Sequence, residues 1–69
     1  MVEDSKRYML ATNRGFVVYD TSIGLYVSTK NVNYAELFKS LKKTIEEREV
    51  AARNLMIHEQ DVRILQVIA

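Results

Sequence analysis

The sequence predicts an α+β domain: a three-stranded antiparallel meander followed by one long helix and a short C-terminal strand (β-β-β-α-β). Three observations predict it. The chain has two glycines and no proline, and both glycines stand between short runs of strand-forming residues. A helical stripe of apolar residues then begins at Tyr34 and continues past residue 50. After that the pattern changes to a β-branched run, Val62 to Ile68.

Lys6 to Thr12 is the first β-forming stretch, Asn13-Arg14-Gly15 a turn, and Phe16 to Asp20 the second stretch. A three-residue hairpin loop is a type I turn closed by a left-handed residue, which glycine supplies best. Thr21-Ser22-Ile23-Gly24 then separates the second stretch from a third, Leu25 to Lys30. The expected strands are therefore about 6–12, 16–20 and 25–30. With a three-residue first loop, Leu10 opposes Val18, and Val18 in turn opposes Val27. Side chains alternate across a strand, so this register collects Tyr8, Leu10, Phe16, Val18, Leu25 and Val27 on one face, the expected core. The other face collects Arg7, Met9, Ala11, Val17, Tyr19, Tyr26, Ser28 and Lys30, far from polar for a solvated face.

Asn33 reads as a helix cap, with Glu36 three residues on to complete a capping box. From Tyr34 the apolar positions Leu37, Phe38, Leu41, Ile45, Ala52, Leu55 and Met56 form one stripe, and the expected helix spans about 34–57. At about 1.5 Å per residue that is about 36 Å, against about 20 Å for a six-residue strand. Such a helix overhangs its sheet by about 16 Å, the difference of those two lengths. Val62, Ile64, Val67 and Ile68 favour a strand over 62–68, although no glycine marks a break and a continuous helix to Ile68 stays open. The whole of residues 1–69 reads as a single small domain.

Sixty-nine residues lie near the lower limit for a domain that folds unaided. Small scaffolds add disulfides, metals or partners. The chain has no cysteine, so disulfides and thiolate metal sites are excluded, and the single His58 leaves too few ligands for a zinc site. Self-association is the staple that remains. The start of the chain carries Glu3 and Asp4 and no apolar core of a secretory signal, and the apolar runs are too short to cross a bilayer. A cytoplasmic protein without membrane contact is expected.

A formal charge of +1 argues against a dedicated nucleic-acid binder, which carries a basic excess or face. No catalytic constellation is legible. His58 has Glu59 and Asp61 beside it, but neighbours one residue apart on a helix point in different directions. Glu46, Glu47 and Glu49 lie at helical spacing from Lys42, Lys43 and Arg53, the pattern of a salt-bridged solvated face. No cofactor and no metal are expected.

What remains is a small non-catalytic protein–protein interaction module, self-associating or bound to a protein partner. Chains this short and this poor in catalytic groups commonly serve as adaptors, inhibitors or regulatory accessory proteins, phage and mobile-element ones among them. Met9, Val17, Tyr19 and Tyr26 on the second face are the expected contact, joined by Val50 and Ile57 near the helix end. The alternative is a nucleic-acid-binding sheet face, on which the aromatics stack bases and Arg7 and Lys30 form a basic rim.

Overall fold

The computed structural model describes residues 6–68. It has four strands, β1 (Lys6–Thr12), β2 (Gly15–Asp20), β3 (Leu25–Thr29) and β4 (Arg63–Ile68), and one α-helix, α1 (Leu41–Leu55), between β3 and β4. The strands form a four-stranded antiparallel sheet in the order β3-β2-β1-β4. The C-terminal segment is a strand, and it pairs with β1 along its full length, from Lys6 opposite Ile68 to Ala11 opposite Arg63. None of the described helices is long and apolar enough to cross a membrane.

The second hairpin has the expected register, with Asp20 opposite Leu25 and Val18 opposite Val27. The first does not. Thr12 opposes Gly15 and Ala11 opposes Phe16, so the loop is Asn13-Arg14 alone and Gly15 belongs to the strand. Gly15 has φ +126°, and a Cβ there would stand 2.5 Å from the carbonyl oxygen of Thr29. The Thr12 hydroxyl secures the turn, accepting from the Arg14 N–H at 3.0 Å. A one-residue slip moves a whole strand's side chains to the other face. It does so here: Leu10 shares its face with Val17, and β2 and β3 are turned over relative to the expectation.

The helix is shorter than its stripe suggests. It starts at Leu41, where the Ser40 hydroxyl caps it by accepting from the Lys43 N–H at 3.0 Å. Asn33 and Glu36, the expected capping pair, serve elsewhere. Asn33 lies in a 3-10 turn, Val32–Tyr34, closed by the Asn31 side chain. Glu36 and Phe38 lie between β1 and β2, which separate beyond their turn. The Phe38 N–H donates to the Tyr8 carbonyl at 2.8 Å and the Tyr8 N–H to the Phe38 carbonyl at 2.9 Å. The Glu36 N–H donates to the Val17 carbonyl at 2.9 Å, and its carboxylate accepts from the Tyr19 N–H at 3.2 Å. Backbone groups that the split would leave unpaired are thus satisfied. The 15-residue helix is about 22 Å long, matched to its strands, and the expected overhang does not occur.

The core is the layer between α1 and the sheet. Leu10, Val17, Tyr26, Phe38, Ala51, Ala52 and Val62 are buried there, with Tyr8, Val50, Leu55, Ile57 and Ile64 packed around them. The helix side of this layer is small: Thr44, Ala51 and Ala52 let the helix approach closely, and Thr44 satisfies its hydroxyl on the Ser40 carbonyl at 2.7 Å. The stripe expected from spacing lies partly outside, with Leu41 at 47% and Ile45 at 48% exposure. α1 ends in a Schellman motif, in which Met56 adopts φ 60° and its N–H and that of Ile57 bond back to Arg53 and Ala52.

Candidate interaction surface

Alternation along each strand places a second set of side chains on the face away from α1. These are Arg7, Met9 and Ala11 from β1, Phe16, Val18 and Asp20 from β2, Leu25, Val27 and Thr29 from β3, and Arg63, Leu65 and Val67 from β4. Three pairs across this face join two apolar side chains, Val18 with Val27, Met9 with Leu65 and Ala11 with Phe16, and Arg7, Asp20, Thr29 and Arg63 stand at its ends. Met9 and Ala11 are buried, but Leu25 is 44% and Leu65 39% exposed. Phe16, Val18, Val27 and Val67 are half-buried. At one border Tyr34 stands beside Val18, Val27 and Thr29 and lines with them a groove of about 480 Å³.

The border at the second turn is polar. The Asp20 carboxylate accepts from the Ser22 N–H at 3.0 Å and from its hydroxyl at 2.6 Å. The Ser22 hydroxyl first, then its N–H, holds that carboxyl below the ordinary aspartate range.

The helix side uses its polar groups internally. Tyr26 donates its hydroxyl to Glu47 at 2.5 Å, and Glu47 in turn faces Lys43 at 3.5 Å. Burial, and then the bond to Glu47, pushes the Tyr26 phenol well above the ordinary tyrosine value. The Tyr26 N–H, which points off the free side of β3, is taken by the Asn54 side chain at 2.8 Å. Tyr19 meets Tyr26 edge-on, with ring centroids 5.0 Å apart.

The residues expected at an interface are therefore distributed unevenly. Val17 and Tyr26 lie in the core, and Val50 and Ile57 pack against it. Tyr19 is on the same side but 39% exposed. Met9 alone lies on the open face, where it is buried beside Leu65. Arg7 and Lys30 stand near opposite ends of the sheet, since Arg7 opposes Val67 and Lys30 follows Thr29, the partner of Phe16. Phe16, Val18, Leu25 and Val27, expected in the core, are brought to the open face by the one-residue shift of the first hairpin.

No cluster of three or more His, Cys, Asp or Glu residues suited to a metal ion occurs among the described residues. His58 is exposed and precedes the short 3-10 turn Glu59–Asp61 without capping it. A mixed-charge cleft of about 460 Å³ lies between Asn13, Arg14, Ile57, Gln60, Asp61 and Arg63. In it Arg14 donates to the Leu55 carbonyl at 3.3 Å, a cation closing the helix C-terminus. Glu49 pairs with Arg53 at 3.2 Å, as the charge spacing anticipates.

Compared with known proteins, the chain matches no family model, no curated protein and no solved structure.

Proposed function

We propose that this chain is a non-catalytic protein-interaction module, working in the cytoplasm as a regulatory or accessory protein, and that its working surface is the open face of the sheet. The observation that carries the reading is a sheet covered by a helix on one side only. The other side exposes an apolar patch of Val18, Leu25 and Val27 on the β2–β3 hairpin, with Leu65 of β4 exposed beyond the buried Met9. Contiguous exposed apolar surface on a small protein marks a contact with another protein, and the occupant here is a protein partner or another copy of the chain. The base-stacking alternative has weaker support. Tyr26 is buried under the helix, Tyr19 is engaged with it, and Phe16 is the one aromatic on the strands of the open face.

The test is sedimentation of the wild-type chain and of the double variant Val18→Glu/Val27→Lys, whose opposite charges pair across the strands, each at low and high salt. The wild type is expected to sediment above its 8.0 kDa monomer mass at both salt concentrations. The double variant should sediment at a lower mass with an unchanged circular dichroism spectrum. A wild-type chain that is monomeric, and that binds single-stranded oligonucleotide with an affinity falling steeply with salt, overturns the reading.

A further inference from the structure

The two edges of the sheet are treated differently. At the β3 edge the Asn54 side chain occupies the outward Tyr26 N–H and α1 packs alongside. At the β4 edge nothing comparable is present among the described residues. Edge strands are ordinarily protected by proline, inward charge, a bulge or a covering element. β4 contains no proline, pairs with β1 without interruption, and carries a single charge, Arg63, at its start.

The direction of each backbone group on β4 follows from the hydrogen bonds of β1. Both backbone groups of Tyr8 are turned to Phe38, away from β4. Residues directly opposite each other alternate between hydrogen-bonded and non-hydrogen-bonded pairs. Tyr8 opposite Gln66 is therefore non-bonded, and Arg7–Val67, Met9–Leu65 and Ala11–Arg63 are the bonded pairs. The N–H and C=O groups of Ile64, Gln66 and Ile68 consequently face outward. They form a row of alternating residues symmetrical about Gln66.

We propose that a second copy of this chain occupies that edge, β4 pairing antiparallel with β4 of the second copy about a two-fold axis at Gln66. Gln66 then opposes Gln66, and Ile64 opposes Ile68, each pair exchanging both of its hydrogen bonds. This register uses the outward groups of Ile64, Gln66 and Ile68 on both chains at once, and the two β4 strands supply each other with apolar cross-strand partners. It is also free of charge conflict, because Arg63 falls outside the bonded pairs. Leu65 of one copy stands opposite Val67 of the other on the open face, so two four-stranded sheets become one and their apolar faces become continuous. The contact is separate from the open face itself.

The experiment takes Val18→Glu/Val27→Lys as background, so that the face contact is disabled and the edge contact remains. The background protein is expected to be a dimer, with Ile64 and Gln66 amides protected from hydrogen exchange at concentrations where it associates. Gln66→Pro removes an outward donor and spares the ladder to β1, and it should weaken the dimer about tenfold or more. Gln66→Lys, at an exposed position, sets like charges opposite each other and should weaken it in a way that salt relieves. A background protein that is monomeric overturns the pairing. So does a dimer that withstands the Gln66→Lys substitution, or one whose Ile64 and Gln66 amides exchange as fast as those of exposed loops. A wild type whose mass falls with Gln66→Lys but not with Val18→Glu/Val27→Lys would instead remove the face reading and leave the edge standing.

Discussion

At the scale of single residues, the two glycines answer to different physics although both carry positive φ. Gly24 sits at φ +69°, within the left-handed region that asparagine tolerates, and a Cβ there meets nothing closer than the Tyr19 hydroxyl at 3.7 Å. Gly15 is at +126°, and any Cβ would collide with the Thr29 carbonyl at 2.5 Å. Gly24→Asn should therefore melt close to the wild type, and Gly24→Val, being β-branched, clearly below it. Gly15→Ala, Gly15→Asn and Gly15→Val should all be costly, with asparagine giving no relief. Thermal melts of the set decide it: a mild Gly15→Asn would mean that the first hairpin is not in the register described. The sequence places both glycines in turns, which holds for Gly24, whereas Gly15 opens β2. It does not show that Gly15 is needed for the close approach of β3, because that constraint comes from a strand ten residues further on.

At the scale of elements, strands and helix are legible in type and less so in boundary. Three strands, a helix and a fourth strand follow from apolar periodicity, glycine placement and β-branching. The two departures from expectation share one cause: local spacing can be satisfied by more than one partner. The stripe from Tyr34 has helical spacing, yet Phe38 gains more by filling the core and bonding to Tyr8 between the split strands, so the helix waits for Ser40. The first hairpin's one-residue slip is invisible locally because Val17 and Val18 are equally apolar, and it alone decides which face α1 covers. The division between Phe38 and Leu41 can be measured. Phe38 is buried and Leu41 is nearly half exposed, although both belong to the same sequence stripe. Phe38→Ala should cost about 3–5 kcal/mol, the range for removing a buried aromatic, while Leu41→Ala should stay within about 1 kcal/mol. Equal losses in urea unfolding would return Leu41 to the core and the helix start to Tyr34.

At the scale of the whole molecule, one polar chain ties the helix to the sheet across the core: Lys43 to Glu47 to the Tyr26 hydroxyl, with Asn54 holding the Tyr26 backbone. It stands where a domain this small has little apolar area to spare, so its pH dependence bears on global stability. Burial and the Glu47 bond favour the neutral phenol in the folded state. The unfolded chain's tyrosine ionises near pH 10. A group whose folded value is raised contributes its full stabilisation below the unfolded value and loses it as pH climbs toward the folded one. Stability from Tyr26 is thus intact at neutral pH and declines above about pH 10. Tyr26→Phe keeps the ring in the core but removes the hydroxyl, at a cost of about 1 kcal/mol near pH 7. Because the variant has no phenol to ionise at this position, its alkaline loss should be shallower. The stability gap between wild type and variant should then narrow from pH 9 to pH 11 in urea unfolding. A gap that stays constant or widens over that range would mean that the Tyr26 hydroxyl is not held by Glu47 in solution. The tie between helix and sheet would then rest on apolar packing and Asn54 alone.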